Sequence, residues 1–160
     1  HMTLAPAEVG TALEESARAL AIELARGFKL AGTLAIELFV TNDGGVLVNE
    51  LAPRPHNSGH YTIEACSSDQ FDTHIRGIAG WPLEQPRLLS PAVMVNVLGQ
   101  HVAPTRAARA SHPEWHMHDY GKAQVKHNRK MGHITVLTDD PARTAADLEA
   151  TGCWSGESDQ

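Results

Sequence analysis

Apolar and polar residues alternate along this chain with two different periods, and each period predicts one kind of element. A spacing of three to four residues gives residues 6–26 one apolar face, which predicts a helix closed by Gly27. That face consists of Val9, Leu13, Ala17, Leu20 and Leu24. A period of two predicts a strand over residues 34–40, and the turn residues 42–45 predict a hairpin with a second strand.

A longer stretch of helical character follows the hairpin. Residues 58–79 predict helix, and Gly80-Trp81-Pro82 end it. The predicted core residues of this stretch are Phe71, Ile75 and Ile78. Helix, antiparallel hairpin and helix together predict an α+β domain, which we place at residues 1–84.

The later half of the chain predicts a second domain at residues 85–160. Apolar runs at 92–98 and 133–137 predict two strands. Asp140 predicts the N-cap of a short helix that starts at Pro141 and ends near residue 150. This domain is therefore expected to be small and mostly β.

Composition agrees with an ordinary globular protein. Of the 160 residues 42% are hydrophobic and 20% charged, and the formal net charge of -6 argues against broad nucleic-acid binding. No apolar run reaches the roughly 18 residues that a membrane span needs, and no signal-peptide pattern is present. Cys66 and Cys153 are too few for a disulfide framework, so we expect a reducing, cytoplasmic compartment. We read His1-Met2 as a cloning remnant outside the fold, and we expect the tail from residue 152 to be loosely held.

Two glutamates of the predicted hairpin carry the first candidate chemistry. Symmetric pairing across the turn sets residue 41 opposite 46, 39 opposite 48, and Glu37 opposite Glu50. Two carboxylates about 5 Å apart repel by roughly 3 kcal/mol at an effective dielectric near 20. A divalent cation removes this repulsion, and Mg2+ is commonly held by one or two carboxylates together with waters and phosphates. Asn49, on the opposite face, could orient a neighbour. The alternative is a pair of exposed glutamates on an edge, and pairing geometry alone favours it.

Stiff and then small residues follow Glu50. Pro53 and Pro55 fix the backbone on both sides of Arg54, so the arginine leaves the strand end on a rigid support. The next five residues are His56-Asn57-Ser58-Gly59-His60. Such a segment can hold an anion, with Gly59 allowing close backbone approach and Asn57 or Ser58 capping the next helix.

Basic residues cluster in the second predicted domain, although the chain is acidic overall. The cluster consists of Lys122, Lys126, Arg129 and Lys130. It is either a local anion site or a solvated loop, and spacing alone favours the solvated loop because Lys and Arg usually lie at surfaces. Gly121 and Gly132 frame the segment, which keeps a phosphate site possible.

Several of these segments resemble one known family. The resemblance is carried by Asn49-Glu50-Leu51-Ala52-Pro53-Arg54-Pro55-His56-Asn57-Ser58-Gly59-His60, by Gln70-Phe71 and His74-Ile75-Arg76, and by residues 91–99, 118–122 and 129–133. Together they resemble the C-terminal part of 5-(carboxyamino)imidazole ribonucleotide synthase, an ATP-grasp ligase of purine biosynthesis. The resemblance implies the C-terminal part of an ATP-grasp fold followed by a small, mostly β domain. The formate-dependent glycinamide ribonucleotide transformylase is a related alternative, but Asn57-Ser58-Gly59-His60 favours the first family.

The resemblance also implies a reaction and a place for each candidate residue. In the family, ATP phosphorylates bicarbonate to carboxyphosphate, which carboxylates the exocyclic amine of 5-aminoimidazole ribonucleotide. Glu37 and Glu50 would hold one or two Mg2+ ions, and Asn49 with Glu50 would bind ATP. The implied catalytic residues are Arg54, His56, Asn57 and Ser58. The implied ligands of the ribonucleotide phosphate are Lys122, Arg129 and Lys130.

Finally, the resemblance implies partners beyond this chain. The sequence contains no recognisable N-terminal doubly wound domain and no Gly-rich loop for ATP phosphates, so the missing N-terminal half of the enzyme is an expected partner. A homodimer is the expected assembly, with no nucleic acid and no membrane as partners. We expect the isolated chain to bind Mg2+ or nucleotide weakly and not to turn over. A non-catalytic binding or assembly module is the alternative.

Overall fold

The computed structural model describes residues 2–155. Its strands and helices, in chain order, are β1 (Met2–Ala5), α1 (Thr11–Gly27), β2 (Ala35–Val40), β3 (Val46–Ala52), α2 (Thr62–Ala65), α3 (Gln70–Ala79), β4 (Ala92–Leu98), α4 (Val102–Ala108), β5 (His116–Asp119), β6 (Lys130–Leu137) and α5 (Pro141–Ala150). Short 3-10 turns lie at Asn57–Gly59, Gly99–His101 and Arg109–Ser111. Helices combined with antiparallel sheets confirm the predicted α+β class.

The elements form two compact units. Residues 7–87 form the hairpin unit, whereas residues 2–6 and 88–155 form the sheet unit. The sequence predicted domains at 1–84 and 85–160, whereas in the structure β1 belongs with the later residues because it pairs with β4. Met2 pairs with Val95 in β4, so leaving Met2 out of the fold was wrong. A four-residue strand with a partner so far along the chain has too little local pattern to be predicted.

The sheet unit is built around β4. The strand order is β1-β4-β6-β5, and every neighbouring pair is antiparallel. Residues 92–97 are buried, β4 has a partner strand along each edge, and the predicted strand at 92–98 is confirmed. The core cluster on this unit consists of Val93, Val95, Val97, Trp115, Ile134, Val136, Leu148, Cys153 and Trp154. Burial of each large apolar side chain contributes about 1.5–3 kcal/mol, so this cluster stabilises the unit.

The end of the described chain packs against this core. The predicted helix α5 is confirmed, and the side chain of Asp140 accepts a hydrogen bond from the backbone of Arg143 at 3.0 Å, as an N-cap does. The expectation of a loosely held tail was wrong for Cys153 and Trp154, which are buried. The Trp154 indole donates to the backbone carbonyl of Asn96 at 3.0 Å. Residues 156–160 of that tail lie outside the described residues.

The hairpin unit differs from the sequence prediction in its helices. The first helix begins at Thr11 and not at residue 6. The stretch predicted as one helix is divided into a 3-10 turn, α2 and α3, because the Asp69 side chain accepts from the amides of Phe71 and Asp72 and so starts a new helix. The core assignment on this stretch was wrong: Phe71, Ile75 and Ile78 are 42%, 57% and 58% exposed.

Helix α3 is held against the start of β2 by hydrogen bonds from Thr33. The amide of Thr33 donates to His74 Nδ1 at 3.1 Å, and its hydroxyl donates to the carbonyl of Gln70 at 3.3 Å. Gly77 and Gly32 allow this approach, since a Cβ on Gly77 would lie 2.8 Å from the Gly32 backbone. Helix α3 therefore sets the position from which the hairpin leaves. Among residues 2–155, no helix has both the length and the apolar composition needed to cross a bilayer.

Candidate functional site

The two hairpin glutamates lie directly opposite each other. Glu37 pairs with Glu50, as predicted, but the pairs nearer the turn differ from the prediction: Leu38 with Val48, Phe39 with Leu47 and Val40 with Val46. The register shifts between Glu37 and Leu38, so β3 carries one extra residue, Asn49. This bulge compensates for a turn one residue out of the predicted register. The opposition of the glutamates therefore depends on the bulge and not on a uniform ladder.

The bulge also changes the position of Asn49. The sequence predicted its side chain on the face opposite the glutamates, and that was wrong. Its Nδ2 donates to Glu37 Oε2 at 3.2 Å, because an unpaired bulge residue no longer follows the strict alternation of a strand. The amide therefore orients one of the two carboxylates, while Glu50 is exposed to solvent.

Arg54 follows the end of β3. Its amide donates to the carbonyl of Ala52 at 2.8 Å across Pro53, and its guanidinium donates to the carbonyl of Pro55 at 3.0 Å. The backbone bends tightly between two prolines, and the side chain is exposed. Arg54 thus places a cation, held by its bond to Pro55, four residues after Glu50 in the sequence.

The sequence predicted Asn57 or Ser58 as the helix cap. In the structure the N-cap is His56. Its Nδ1 accepts from the Ser58 amide at 3.4 Å and lies 2.9 Å from the Ser58 hydroxyl. On the other side of the ring, Nε2 lies 3.7 Å from Glu37 Oε1. Asn57 begins the 3-10 turn, and its carbonyl accepts from the amide of His60. The fold therefore brings Glu37, Asn49, His56 and Ser58 together.

The basic segment is an ordered loop of the sheet unit. The ammonium group of Lys122 donates to the carbonyl of Lys130 and lies 5.4 Å from the ring centre of Tyr120. Arg129 Nη1 donates to the carbonyl of Gln124 at 3.3 Å, and Arg129 is exposed. Lys130 is the first residue of β6. The structure thus brings Lys122, Arg129 and Lys130 onto one loop and strand start, whereas the glutamates belong to the hairpin unit.

The pKa of Asp119, which lies near this loop, is lowered by its hydrogen bonds. Arg106 Nη2 donates to Asp119 Oδ2 at 2.7 Å, and the hydrogen bond to Arg106 is the main reason why the pKa of Asp119 lies below its ordinary value. The amide of Gly121 lowers the pKa further by donating to Oδ1 of the same carboxylate at 2.9 Å. Asp119 therefore stays charged at neutral pH, and Arg106 forms an ion pair with it.

The donor set of the hairpin suits Mg2+ in one respect. Two carboxylates at one register position supply hard oxygen ligands, and Mg2+ typically takes one or two carboxylates from a protein. Among residues 2–155, no cluster of three or more His, Cys, Asp or Glu side chains could hold a metal ion. A cation at Glu37 and Glu50 would therefore be completed by oxygens of water or of a phosphate.

Two glutamines that support these segments were not predicted as site residues. Gln70 bonds the backbone of His56, and Gln100 exchanges two hydrogen bonds with Asn128 in the basic loop, both at 2.9 Å. Gln70 does stand in one of the strings that carried the resemblance. No periodicity marks such residues, because their partners are groups distant in sequence, most of them on the backbone.

Two family models match the chain. The ATP-grasp domain matches residues 1–71, and the phosphoribosylaminoimidazole carboxylase C-terminal domain matches residues 92–147. Among curated proteins, the N5-carboxyaminoimidazole ribonucleotide synthase of Staphylococcus saprophyticus is 48% identical over 91% of this chain and 39% of its own length.

Solved structures agree with these matches. The Staphylococcus aureus N5-carboxyaminoimidazole synthetase complexed with ADP has a TM-score of 0.88 at 43% identity, over 94% of this chain and 41% of that one. The Aspergillus clavatus synthase in complex with ADP and 5-aminoimidazole ribonucleotide has a TM-score of 0.85 at 34% identity, over 94% of this chain and 42% of that one.

The chain thus carries part of an ATP-grasp domain, the domain of a class of ATP-dependent ligases. Its second matched domain is the C-terminal domain of phosphoribosylaminoimidazole carboxylase. Within that class the chain belongs to the N5-carboxyaminoimidazole ribonucleotide synthase family, and it spans about two fifths of the length of the curated relatives it matches. Of the two families that the sequence left open, these matches support the first.

Proposed function

We propose that this chain is the metal-binding and substrate-phosphate-binding portion of an ATP-dependent ligase. That ligase would carboxylate 5-aminoimidazole ribonucleotide with bicarbonate, through carboxyphosphate. The observation that carries the proposal is the opposed pair Glu37 and Glu50, with Asn49 bonded to Glu37, inside a segment that matches the ATP-grasp domain. The alternative is a non-catalytic binding or assembly module, and the experiment below separates the two.

In this proposal the hairpin binds ATP through Mg2+. Glu37 and Glu50 hold one or two ions, and Asn49 keeps the Glu37 carboxylate oriented through its 3.2 Å hydrogen bond. The chemistry that a metal held by these carboxylates would supply is neutralisation of charge during phosphoryl transfer. The protein's own contribution is to fix the carboxylates before nucleotide arrives, which lowers the cost of ordering them on binding.

Residues 54–58 would act on the reacting oxygens. Arg54 supplies a fixed cation for charge that develops on the phosphoryl and bicarbonate oxygens. His56, Asn57 and Ser58 line the place where carboxyphosphate forms. Support comes from the way His56 links Ser58 on one side to Glu37 on the other, at 2.9 Å and 3.7 Å.

The basic loop would anchor the ribonucleotide. Lys122, Arg129 and Lys130 hold its 5'-phosphate, and this remote binding energy orients the amine that attacks. The reciprocal pair of Gln100 and Asn128 keeps the loop in one conformation. Support for a nucleotide substrate also comes from the Aspergillus clavatus neighbour, which is a complex with ADP and 5-aminoimidazole ribonucleotide.

Catalysis would need the part of the enzyme that lies outside this chain. Large apolar side chains of the hairpin are exposed, including Phe39 at 60% and Leu47 at 57%, as expected of a sheet that another segment covers. We therefore infer that the N-terminal half of the enzyme is the partner of the hairpin unit. A homodimer and a cytoplasmic location belong to the same proposal.

The test combines binding with complementation. Mg-ATP is titrated calorimetrically into the wild-type chain, into Glu50→Gln and into Glu23→Gln, which removes the same charge from an exposed position of α1. We expect weak binding that Glu50→Gln abolishes and Glu23→Gln leaves unchanged. Adding the N-terminal part of the enzyme should then produce ADP in the presence of bicarbonate and 5-aminoimidazole ribonucleotide. Absence of both binding and complementation would support the non-catalytic module.

A further inference from the structure

A buried glutamine makes three hydrogen bonds to the loop of the candidate site. Gln70, at the start of α3, is 8% exposed. Its Oε1 accepts from the amide of His56 at 2.8 Å, and its Nε2 donates to the carbonyl of the same residue at 2.9 Å. Nε2 also lies 2.8 Å from His60 Nδ1. The amide orientation is determined by chemistry, because a backbone N–H needs an acceptor and a carbonyl needs a donor.

The backbone of Gln70 is itself held in place. Its amide donates to the hydroxyl of Thr62 at 3.1 Å, and that hydroxyl donates to the carbonyl of Gly59 at 2.6 Å. The carbonyl of Gln70 accepts from Thr33. Gln70 is therefore tied to the loop and to the start of the hairpin at once.

Gly59 is shaped to accommodate this side chain. A Cβ at position 59 would lie 2.6 Å from Gln70 Oε1, closer than real Cβ atoms approach, and 3.0 Å from Cδ. A flexible side-chain end could move away, but this one is buried and holds three hydrogen bonds, so moving it breaks them. Glycine at this position and glutamine at position 70 therefore act together.

The His56 backbone, held by Gln70, determines where the His56 ring lies. Because the Ser58 amide can only donate, Nδ1 accepts, and the ring N–H lies on Nε2, which is 3.7 Å from Glu37 Oε1. The connection thus runs from Gln70 through the His56 backbone and ring to a carboxylate of the opposed pair. Supporting groups of this kind commonly orient metal-binding side chains.

We propose that Gln70 is a positioning residue for the candidate site: by bonding both backbone groups of His56, it holds the imidazole against Glu37. The inference rests on the proposed function for the meaning of the site, although the contacts themselves do not depend on it. Gln70 contacts neither metal nor substrate in this account. A glutamine that served stability alone would loosen the hairpin unit as a whole when replaced.

The experiment uses the 160-residue chain and two variants that reach the same contacts from opposite sides. Gln70→Met keeps the length of the side chain and removes its polar atoms. Gly59→Ala keeps Gln70 and displaces it. Gly27→Ala is the matched control, because a Cβ there meets nothing within 4 Å. Amide hydrogen exchange of His56 and the NOEs from its ring to Glu37 and Ser58 are measured by NMR without metal or nucleotide.

We expect the His56 amide to exchange at least tenfold faster in both variants, with loss of the NOE to Glu37 and unchanged exchange within α3, β2 and β3. Unchanged His56 signals in both variants would overturn the proposal, and so would a uniform loss of protection across the hairpin unit. In a second measurement, Mg-ADP affinity should fall at least fivefold in both variants. Unchanged affinity despite a loosened His56 would also overturn it.

The two proposals fail in different ways. If wild type and Glu50→Gln do not differ in Mg-ADP binding, the proposed function is contradicted. The exchange rates and NOEs of His56 still decide the role of Gln70 in that case, because they are recorded on the protein alone. If Mg-ADP binds as proposed and the His56 signals do not respond to Gln70→Met or Gly59→Ala, only the positioning role is contradicted.

Discussion

Replacing one of the opposed glutamates should change the stability of the hairpin in opposite directions with and without Mg2+. In Glu50→Gln the repulsion across the register pair disappears. The full Coulomb value of roughly 3 kcal/mol at an effective dielectric near 20 is too large here, because the Glu37 side chain is 42% exposed and Glu50 is exposed. Like-charge pairs on exposed strands cost about 0.2–1 kcal/mol. We therefore expect Glu50→Gln to stabilise the metal-free hairpin by about that amount.

Mg2+ should reverse the order of the two proteins. A ligand present at ten times its Kd stabilises the state that binds it by about 1.4 kcal/mol. Wild type gains this free energy and Glu50→Gln does not, so wild type should become the more stable by roughly 0.4–1.2 kcal/mol. The same Mg2+ addition should leave Glu23→Gln parallel to wild type, because that glutamate lies on α1.

The assay is native-state hydrogen exchange of the β2 and β3 amides, which reports the opening free energy of the hairpin and not that of the sheet unit. Repeating it in 1 M NaCl should shrink the metal-free difference, because the Debye length falls to about 3 Å. The reasoning is refuted if Glu50→Gln is no more stable than wild type without metal. It is also refuted if Mg2+ stabilises both proteins equally.

Three further changes concern the sheet unit. Trp154→Phe should lower the free energy of unfolding of this unit by about 1–2 kcal/mol, measured by denaturant titration, because the buried hydrogen bond from the indole to the Asn96 carbonyl is lost. Arg106→Gln should raise the pKa of Asp119 in an NMR titration, since the guanidinium hydrogen bond is the largest cause of its lowered pKa. Because the lowered pKa lies in the folded state, this pair stabilises at neutral pH, and its contribution is lost as the pH falls through that pKa. Gly99→Ala should weaken binding of ribose 5-phosphate. A Cβ at this position would clash with the Lys126 carbonyl and must displace the basic loop.

Controls exist for each change. The exposed pair of Arg106 and Asp119 should contribute no more than about 1 kcal/mol, so a larger loss in Arg106→Gln would indicate another role. For Gly99→Ala the control is Gly10→Ala, where a Cβ meets nothing within 4 Å. Equal phosphate affinity in both glycine variants would contradict the account of the loop. A Trp154→Phe protein as stable as wild type would show that the end of the described chain contributes little to the core.

Local pattern predicted those elements whose determinants are close together in sequence. The apolar run of β4 and the Asp140 cap of α5 are examples, and both match the structure. The prediction of one helix from 58 to 79 was wrong, because Asp69 caps a new helix inside an otherwise helical pattern. Phe71 failed as a core residue for a different reason: an apolar side chain at helical spacing shows which face is apolar, but not whether anything covers it.

The candidate site shows the same division. The sequence by itself located the hairpin and showed which family the run from Asn49 to His60 resembles. It also predicted that Glu37 faces Glu50, but through a uniform pairing that the structure does not have. Only the tertiary structure decided that a bulge at Asn49 produces that register, and that His56 lies between Ser58 and Glu37. The physical reason is that the bonds of Gln70 join α3 to the loop after β3 and to the start of the hairpin, and the local pattern of apolar and polar residues does not record such contacts. The two glutamates and their family motif are sequence features, whereas the bulge that pairs them and the groups that orient them are products of the fold.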